Sequence, residues 1–305
     1  MMNKTIYLSV VLSTYNEEKY IAKSIQSILD QTYPFFEFII VNDGSTDSTL
    51  QIIRSFSDSR IVVIDKPNTG LPDSLNKGIE CARYDWIARM DGDDIATPDR
   101  FERQVSYINN NSAVIGGQFI SIDEEGNAIS GKVSNKPLTY RKCRSALLFG
   151  MSPLAHPTVL LKKEILVKYG GYDVNFRAAQ DLELWSRLIP FVEIFNIPDP
   201  ILFYRQHTNN ISNKRKDLQR KLTFLGFMKY VLKIRRPFTS EEFQRFEDMF
   251  SKNQLIQRND KYYIWSHKGN SHFRVVKLLM YYIWRILLII KYRLIRPTVL
   301  KDILA

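Results

Sequence analysis

Three carboxylates crowd into four residues at Asp91, Asp93 and Asp94, within the stretch ARMDGDDIATPDR that runs from Ala88 to Arg100. Like charges this close repel one another unless something compensating sits among them. Mg²⁺ and Mn²⁺ take hard oxygen ligands, often one or two protein carboxylates together with the phosphates of a substrate. Alternating residues at a strand end, Asp91 and Asp93, can aim two carboxylates at one side, and Gly92 between them leaves room for a diphosphate. The other reading is a solvated acidic turn that caps the next helix. Neither GxGxxG nor GxxxxGK[ST] occurs, so a dinucleotide fingerprint and a P-loop are both excluded, and the ligand pattern of an EF-hand is missing as well.

The elements that must carry this turn are legible in the first hundred residues. IYLSVVLS, FEFIIVND, RIVVID and YDWIARMD are short β-branched runs of buried-strand type. Between them, Ile21, Ile25 and Ile28 recur at helical spacing, Leu50 and Ile53 share a face after the capping run GSTDST, and Leu71, Leu75 and Ile79 share another. Strand and helix in alternation predict βαβ units and a mostly parallel sheet. Ligands gather at the carboxyl ends of strands in such sheets, and here those ends read STYNEE, NDGSTD, DKPNTG and MDGDD. GGQFISIDEEGNAIS reads as a hairpin around Glu125, Gly126 and Asn127.

Charge divides the chain. From Lys214 onward there are 21 Lys and Arg against 7 Asp and Glu, a balance of +14, whereas the whole chain carries +11. This basic part has helical patterns: KDLQRKLTFLGFMKYVLKIRR, TSEEFQRFEDMF and FRVVKLLMYYIWRILLIIKYRLIR. Within the last, Leu278 to Ile290 is apolar except for Arg285, but its 13 residues fall short of a span. Flanking Lys277, Lys291, Arg293 and Arg296 suit a helix lying on an anionic interface, and the alternative is a core helix with a solvated basic edge. The two cysteines, Cys81 and Cys143, lie far apart, which fits a reducing compartment, and the N-terminus does not read as a signal peptide.

VVLSTYNEEKYIAKSIQSILDQTYPFFEFIIVNDGSTDST, NTGLPDSLNKGIECARYDWIARMDGDD and GGYDVNFRAAQDLELWSRL follow one another and together resemble a family 2 glycosyltransferase, over about Ile6 to Ser212. The resemblance implies an inverting enzyme with an α/β GT-A fold: a Rossmann-like, mostly parallel sheet flanked by helices, followed by a C-terminal helical region. Residues 1–213 would be the catalytic domain and residues 214–305 a basic helical region that associates with the membrane. The enzyme would move a sugar from a nucleotide-diphosphate donor, a UDP-sugar, to a hydroxyl of a glycan or polyprenyl-linked acceptor. The setting would be bacterial surface polysaccharide assembly, in the cytoplasm and peripheral at the inner face of the cell membrane, with no nucleic acid partner.

Residue by residue, the same resemblance implies that Thr14, Tyr15, Asn16 and Glu17 line the nucleoside pocket and that Asp43 accepts a hydrogen bond from base or ribose. Asn68, Gly70 and Asn76 would border the nucleotide. Asp91 and Gly92 would face ribose or a metal-bound water, Asp93 would bind the divalent cation (Mn²⁺ or Mg²⁺), and Asp94 would support the turn or the donor sugar. His207 would complete the metal or diphosphate site, the alternative being a solvated loop histidine. Asp181 would be the general base that takes the acceptor's hydroxyl proton; read bare, Asp181 and Glu183 are equally the polar face of a helix beginning near Ala178. Gln180 stands where the family usually carries Glu, which bears on sugar or acceptor hydrogen bonding. His156 falls on the acceptor side or makes a structural hydrogen bond, and Gly171 lets the acceptor approach a backbone turn. A sugar-phosphate nucleotidyltransferase, a nucleic-acid-binding protein gripping through its basic tail, and a catalytically inactive relative are the rival readings.

Overall fold

The structure is a computed structural model, and it describes residues 5–148, 150–207, 216–231 and 234–251. Strand β1 (Leu8–Thr14), helix α1 (Ile21–Leu29), β2 (Phe36–Asp43), α2 (Thr49–Ser55), β3 (Ile61–Lys66), α3 (Leu71–Cys81) and β4 (Trp86–Asp91) follow the alternation read from the sequence. These four strands are parallel and lie in the order β3-β2-β1-β4. Their period of two sorts side chains between two cores. Leu8, Val10, Leu12, Phe38 and Ile40 pack with Ile21, Ile25 and Ile28 of α1 and Ile53 of α2. Val11, Ile39 and Val41 face the other way, against Leu75 and Ile79 of α3. α3 comes so close to β1 that a Cβ at Gly78 would stand 2.5 Å from Val11 Cγ1. β3 departs from the buried-strand reading: among the described residues it has a neighbour on one side only, and its Val62 and Val63 are 39% and 37% exposed.

Beyond β4 come β5 (Ile95–Ala96), α4 (Arg100–Ser106), β6 (Ser112–Ile122), β7 (Ala128–Val133), α5 (Tyr140–Leu148), a 3₁₀ turn at His156–Thr158, β8 (Leu160–Lys162), α6 (Lys163–Lys168), α7 (Gln180–Leu188) and β9 (Glu193–Arg205). The sheet continues β4-β8-β6-β9-β5, with antiparallel pairs everywhere except the parallel β6–β9 pair, so it is parallel in its first half and mixed in its second. The expected hairpin forms between β6 and β7, turning at Gly126 with φ of 103°. Asp123 closes it by accepting the Gly126 and Asn127 amides on one carboxylate oxygen, at 2.9 and 2.7 Å.

Two helices follow, α8 (Lys216–Val231) and α9 (Ser240–Ser251). Leu222, Phe224, Leu225 and Met228 of α8 lie in the same core as Leu182, Leu184, Trp185 and Leu188 of α7. The region set apart at residue 214 by its charge therefore begins with a helix that shares the core of the preceding chain. Lys229 of α8 is wholly buried and donates to Asp173 at 3.0 Å and to Glu183, which also takes two bonds from Arg187 at 2.7 and 2.8 Å. Glu183 is thus an interior partner rather than part of a polar face. Burial pushes its carboxyl up, but Arg187 and Lys229 outweigh that and hold it below the ordinary range. The apolar run from Leu278 to Ile290 lies outside the described residues. Among the described residues no helix is long and apolar enough to cross a membrane.

Candidate active site

The carboxyl ends of β1, β2 and β4 bring the first residues of the site together. After β1 the chain turns through Asn16, a non-glycine residue at φ of 55°. Its amide donates to Ser45 Oγ at 3.0 Å, its side-chain oxygen accepts the Thr46 amide at 2.8 Å, and the Glu17 amide donates to Thr49 Oγ1 at 2.8 Å. The loop after β1 is thereby laced to the loop after β2, which offsets the strained backbone at Asn16. Tyr15 stays on the surface, 47% exposed.

Asp43, at the end of β2, is almost fully buried and organises the next loop: it accepts Lys66 Nζ at 2.6 Å, the Thr69 amide at 3.0 Å and the Gly70 amide at 2.9 Å. Burial pushes its carboxyl up, yet the bonds from Lys66 and Thr69 win and keep it below its ordinary range. Asn68 is exposed at the tip of that loop, and Gly70 adopts φ of 100° to start α3. Asn76 is half-buried and lines a groove along α3. Its amide clamps the Tyr172 backbone from both sides, accepting the N–H and donating to the carbonyl at 2.8 Å each. Gly171, at φ of 64°, lies under this clamp, and a Cβ there would stand 2.6 Å from Asn76 Oδ1. These two residues form one structural joint beside that groove.

The acidic turn at the end of β4 is compensated in several ways. Asp91 pairs with Arg89, which is only 3% exposed. Burial pushes the Asp91 carboxyl up, Arg89 pulls it down and Asp93 adds to the rise. Asp94 is 1% exposed; one oxygen accepts the Arg205 amide at 2.8 Å and the other has no partner among the described residues. Burial, then the charges of Asp93 and Asp91, push it well above the carboxylate range, which favours its neutral form and lowers the repulsion in the turn. Gly92 also has a packing reason to be glycine. A Cβ there would stand 2.9 Å from Thr14 Oγ1 and 3.4 Å from Ile21 Cδ1, so the glycine lets β1 and α1 pack against the turn.

Asp93 faces a mixed donor set. Its Oδ2 lies 3.0 Å from His207 Nε2, and Glu17, Asp93 and His207 each bring a ligand atom within 4.8 Å of the other two. Asp91, Asp93 and Asp94 meet the same spacing. The two carboxylate oxygens suit Mn²⁺ or Mg²⁺. His207 is 6% exposed and stacks near Tyr20, with ring centroids 5.0 Å apart, so it is not a solvated loop histidine. Arg205 assembles this part of the site. Besides its amide bond to Asp94, its Nε donates to the Asp93 carbonyl at 2.8 Å and its Nη1 to the Asp123 and Glu124 carbonyls at 2.9 and 2.8 Å. Sequence reasoning missed it, although an arginine closing the largely apolar run ILFYR, Ile201 to Arg205, is a signal of internal pairing.

Asp181 lies in the first turn of α7, after Ala179 at φ of 55°. Its Oδ2 accepts Ser152 Oγ at 2.8 Å, and its charge contributes to raising Asp91, so both carboxylates share one field. Gln180, beside it, is half-buried. His156 bonds Tyr172 Oη at 2.8 Å inside the protein; burial, then the Arg89 cation, hold its imidazole well below its usual range, which makes it a neutral structural partner. A groove of about 560 Å³ runs along α3 and α6, but none of Asp91, Asp93 or Asp181 lines it, so it is not where this constellation acts.

Residues 9–170 match the model of Glycosyl transferase family 2. The chain belongs to that family. The O-antigen biosynthesis glycosyltransferase WbnJ of Escherichia coli is 31% identical over 217 residues, 67% of this chain and 81% of that protein. The structure of TarS 1-349 of S. aureus in complex with UDP-GlcNAc superposes with a TM-score of 0.61 at 17% identity, over 82% of this chain and 73% of that one. The mannosyltransferase PcManGT of Pyrobaculum calidifontis, in complex with GDP-Man and Mn²⁺, gives 0.53 at 15% identity, over 90% and 78%. The likeness to these two structures is one of fold, the GT-A arrangement expected from the sequence. Membership makes the chain a glycosyltransferase and displaces the nucleotidyltransferase reading.

Proposed function

We propose that this glycosyltransferase takes a UDP-sugar and a divalent cation at the carboxyl ends of β1, β2 and β4 and transfers the sugar, with inversion, to a hydroxyl of a glycan or polyprenyl-linked acceptor in surface polysaccharide assembly. The observation that carries this reading is the meeting of Glu17, Asp93 and His207 beside Asp91, in one field with Asp181. Glu17, Asp93 and His207 would hold the cation, which when bound would offset the charge that develops on the leaving diphosphate. Asp43 keeps the 66–70 loop shaped for the nucleoside, and Thr14, Tyr15, Asn16, Asn68 and Gly70 bound the same end of the sheet. Asp91 faces the ribose and Gln180 the sugar or acceptor. Asp181 takes the proton from the attacking hydroxyl; a carboxylate opposite the departing diphosphate suits in-line displacement. Residues 1–213 carry this chemistry, and the basic region beyond 214 brings the enzyme to the anionic inner face of the membrane, where a lipid-linked acceptor lies.

A panel of UDP-sugars tests the reading, with UDP release and donor binding followed in Mn²⁺ for the intact chain and Asp181→Asn. The substitution should leave donor binding intact and lower turnover by about 10²–10⁴-fold, the usual worth of a positioned base. Equal turnover in both proteins would remove Asp181 from the chemistry.

A further inference from the structure

Asp181 is not held by its own helix. Its Oδ2 accepts the Ser152 hydroxyl at 2.8 Å; the same hydroxyl lies 3.1 Å from the Leu154 carbonyl, but it has one proton, and the nearer acceptor takes it. The turn that presents Ser152 is built from the sheet outward. Lys136 Nζ donates to the Ser152 carbonyl at 3.3 Å. The Lys136 backbone is in turn gripped on both sides by buried Gln118 of β6, whose side chain accepts the Lys136 amide at 2.8 Å and donates to its carbonyl at 3.1 Å. Buried Asn196 of β9 donates to the carbonyls of Pro137 and Pro153, at 2.7 and 3.1 Å, so it ties the residue after Lys136 to the residue after Ser152. Two side chains rooted in adjacent strands thus fix the two loops that meet at Asp181.

We propose that Ser152 is a positioning residue for the general base: held by Lys136, Gln118 and Asn196, its hydroxyl fixes one Asp181 oxygen and leaves the other for the acceptor proton. This rests on the assignment of Asp181 as base. The electrostatics agree with the geometry. Burial lowers the Lys136 ammonium, and the Asp181 charge opposes that, so the cation sits within reach of the carboxylate. Asp91 and the Tyr172 hydroxyl also lie in the field of Asp181, and Lys136 adds a cation to it.

The test uses the full chain with Mn²⁺ and UDP release from a panel of UDP-sugars. Ser152→Ala should lower kcat by about 10- to 100-fold with donor KM unchanged, the scale expected when a reacting group is displaced by about an ångström. Ser152→Thr, which keeps the hydroxyl, should restore most of the loss. In an Asp181→Asn background Ser152→Ala should add nothing. An unchanged kcat, a loss carried by donor KM, or full additivity in that background overturns the inference. A crystal structure of Ser152→Ala gives a reading independent of activity: the Asp181 carboxylate should leave its present rotamer, and its staying there overturns the inference too. If Asp181→Asn alone keeps full turnover, the base assignment fails first and takes this inference with it.

Discussion

The acidic turn answers its own repulsion with several partners at once: Arg89 on Asp91, the Arg205 amide on Asp94, a neutral form favoured at Asp94, and a donor set at Asp93 fit for a cation. The aspartates were legible in the sequence because three carboxylates at a strand end demand an explanation. Arg89 and Arg205 were not, since an arginine in an apolar run signals internal pairing but not which carbonyls and carboxylates surround it. Gly92, Gly171 and Asn76 each have a packing partner that their residue types did not announce: Thr14 and Ile21 at Gly92, Asn76 at Gly171, and the Tyr172 backbone at Asn76. His156 offers a test at this scale. Its imidazole is kept well below its ordinary 6.5 by burial and by Arg89, so the unfolded chain binds a proton that the folded chain refuses. The unfolding free energy should therefore fall as pH drops below about 6.5, until the folded pKa is reached, and rise with pH within that window. Urea unfolding from about pH 5 to 7.5 should show a shallower slope for His156→Gln than for the parent. Equal slopes would assign the pH dependence to other groups.

Among the elements, β1 through β4 and the helices between them were readable because each obeys one period and buries one face. β3 was misjudged as buried because its composition matches that of β2; only the strand order reveals that it lies at the edge. β9 escaped notice, since Pro198 and Pro200 interrupt its 13 residues. α7 was seen, but the fate of Glu183 depends on α8, some forty residues further on. The buried set of Asp173, Glu183, Arg187 and Lys229 locks those two helices together, and Arg187 also donates to the Gly171 carbonyl at 2.6 Å. Lys229→Met removes one cation and, among the described residues, the salt-bridge partner of buried Asp173. It should cost about 3–5 kcal/mol, read as a lower urea midpoint. A midpoint within the error of the parent would mean that water reaches this cluster.

For the molecule as a whole, charge suggested a division at residue 214, and packing does not follow it: α8 completes the core over α7. Charge reports on partners and apolar contact reports on folding, so the two need not divide a chain at the same place. The membrane proposal has its own test. The full chain should co-sediment with vesicles containing about a third anionic lipid and release as salt rises past the Debye-screening range, and neutral vesicles should leave it in solution. Equal binding to both would argue for an apolar rather than a charged attachment.

The most direct measurement is calorimetric titration of a UDP-sugar into the chain with Mn²⁺, after chelation, and with Mn²⁺ on Asp93→Ala. The expected result is binding that needs the cation and that Asp93→Ala weakens by at least about tenfold, or 1.4 kcal/mol. Equal affinity in all three would contradict the central claim, for Glu17, Asp93 and His207 would then meet without a cation to hold.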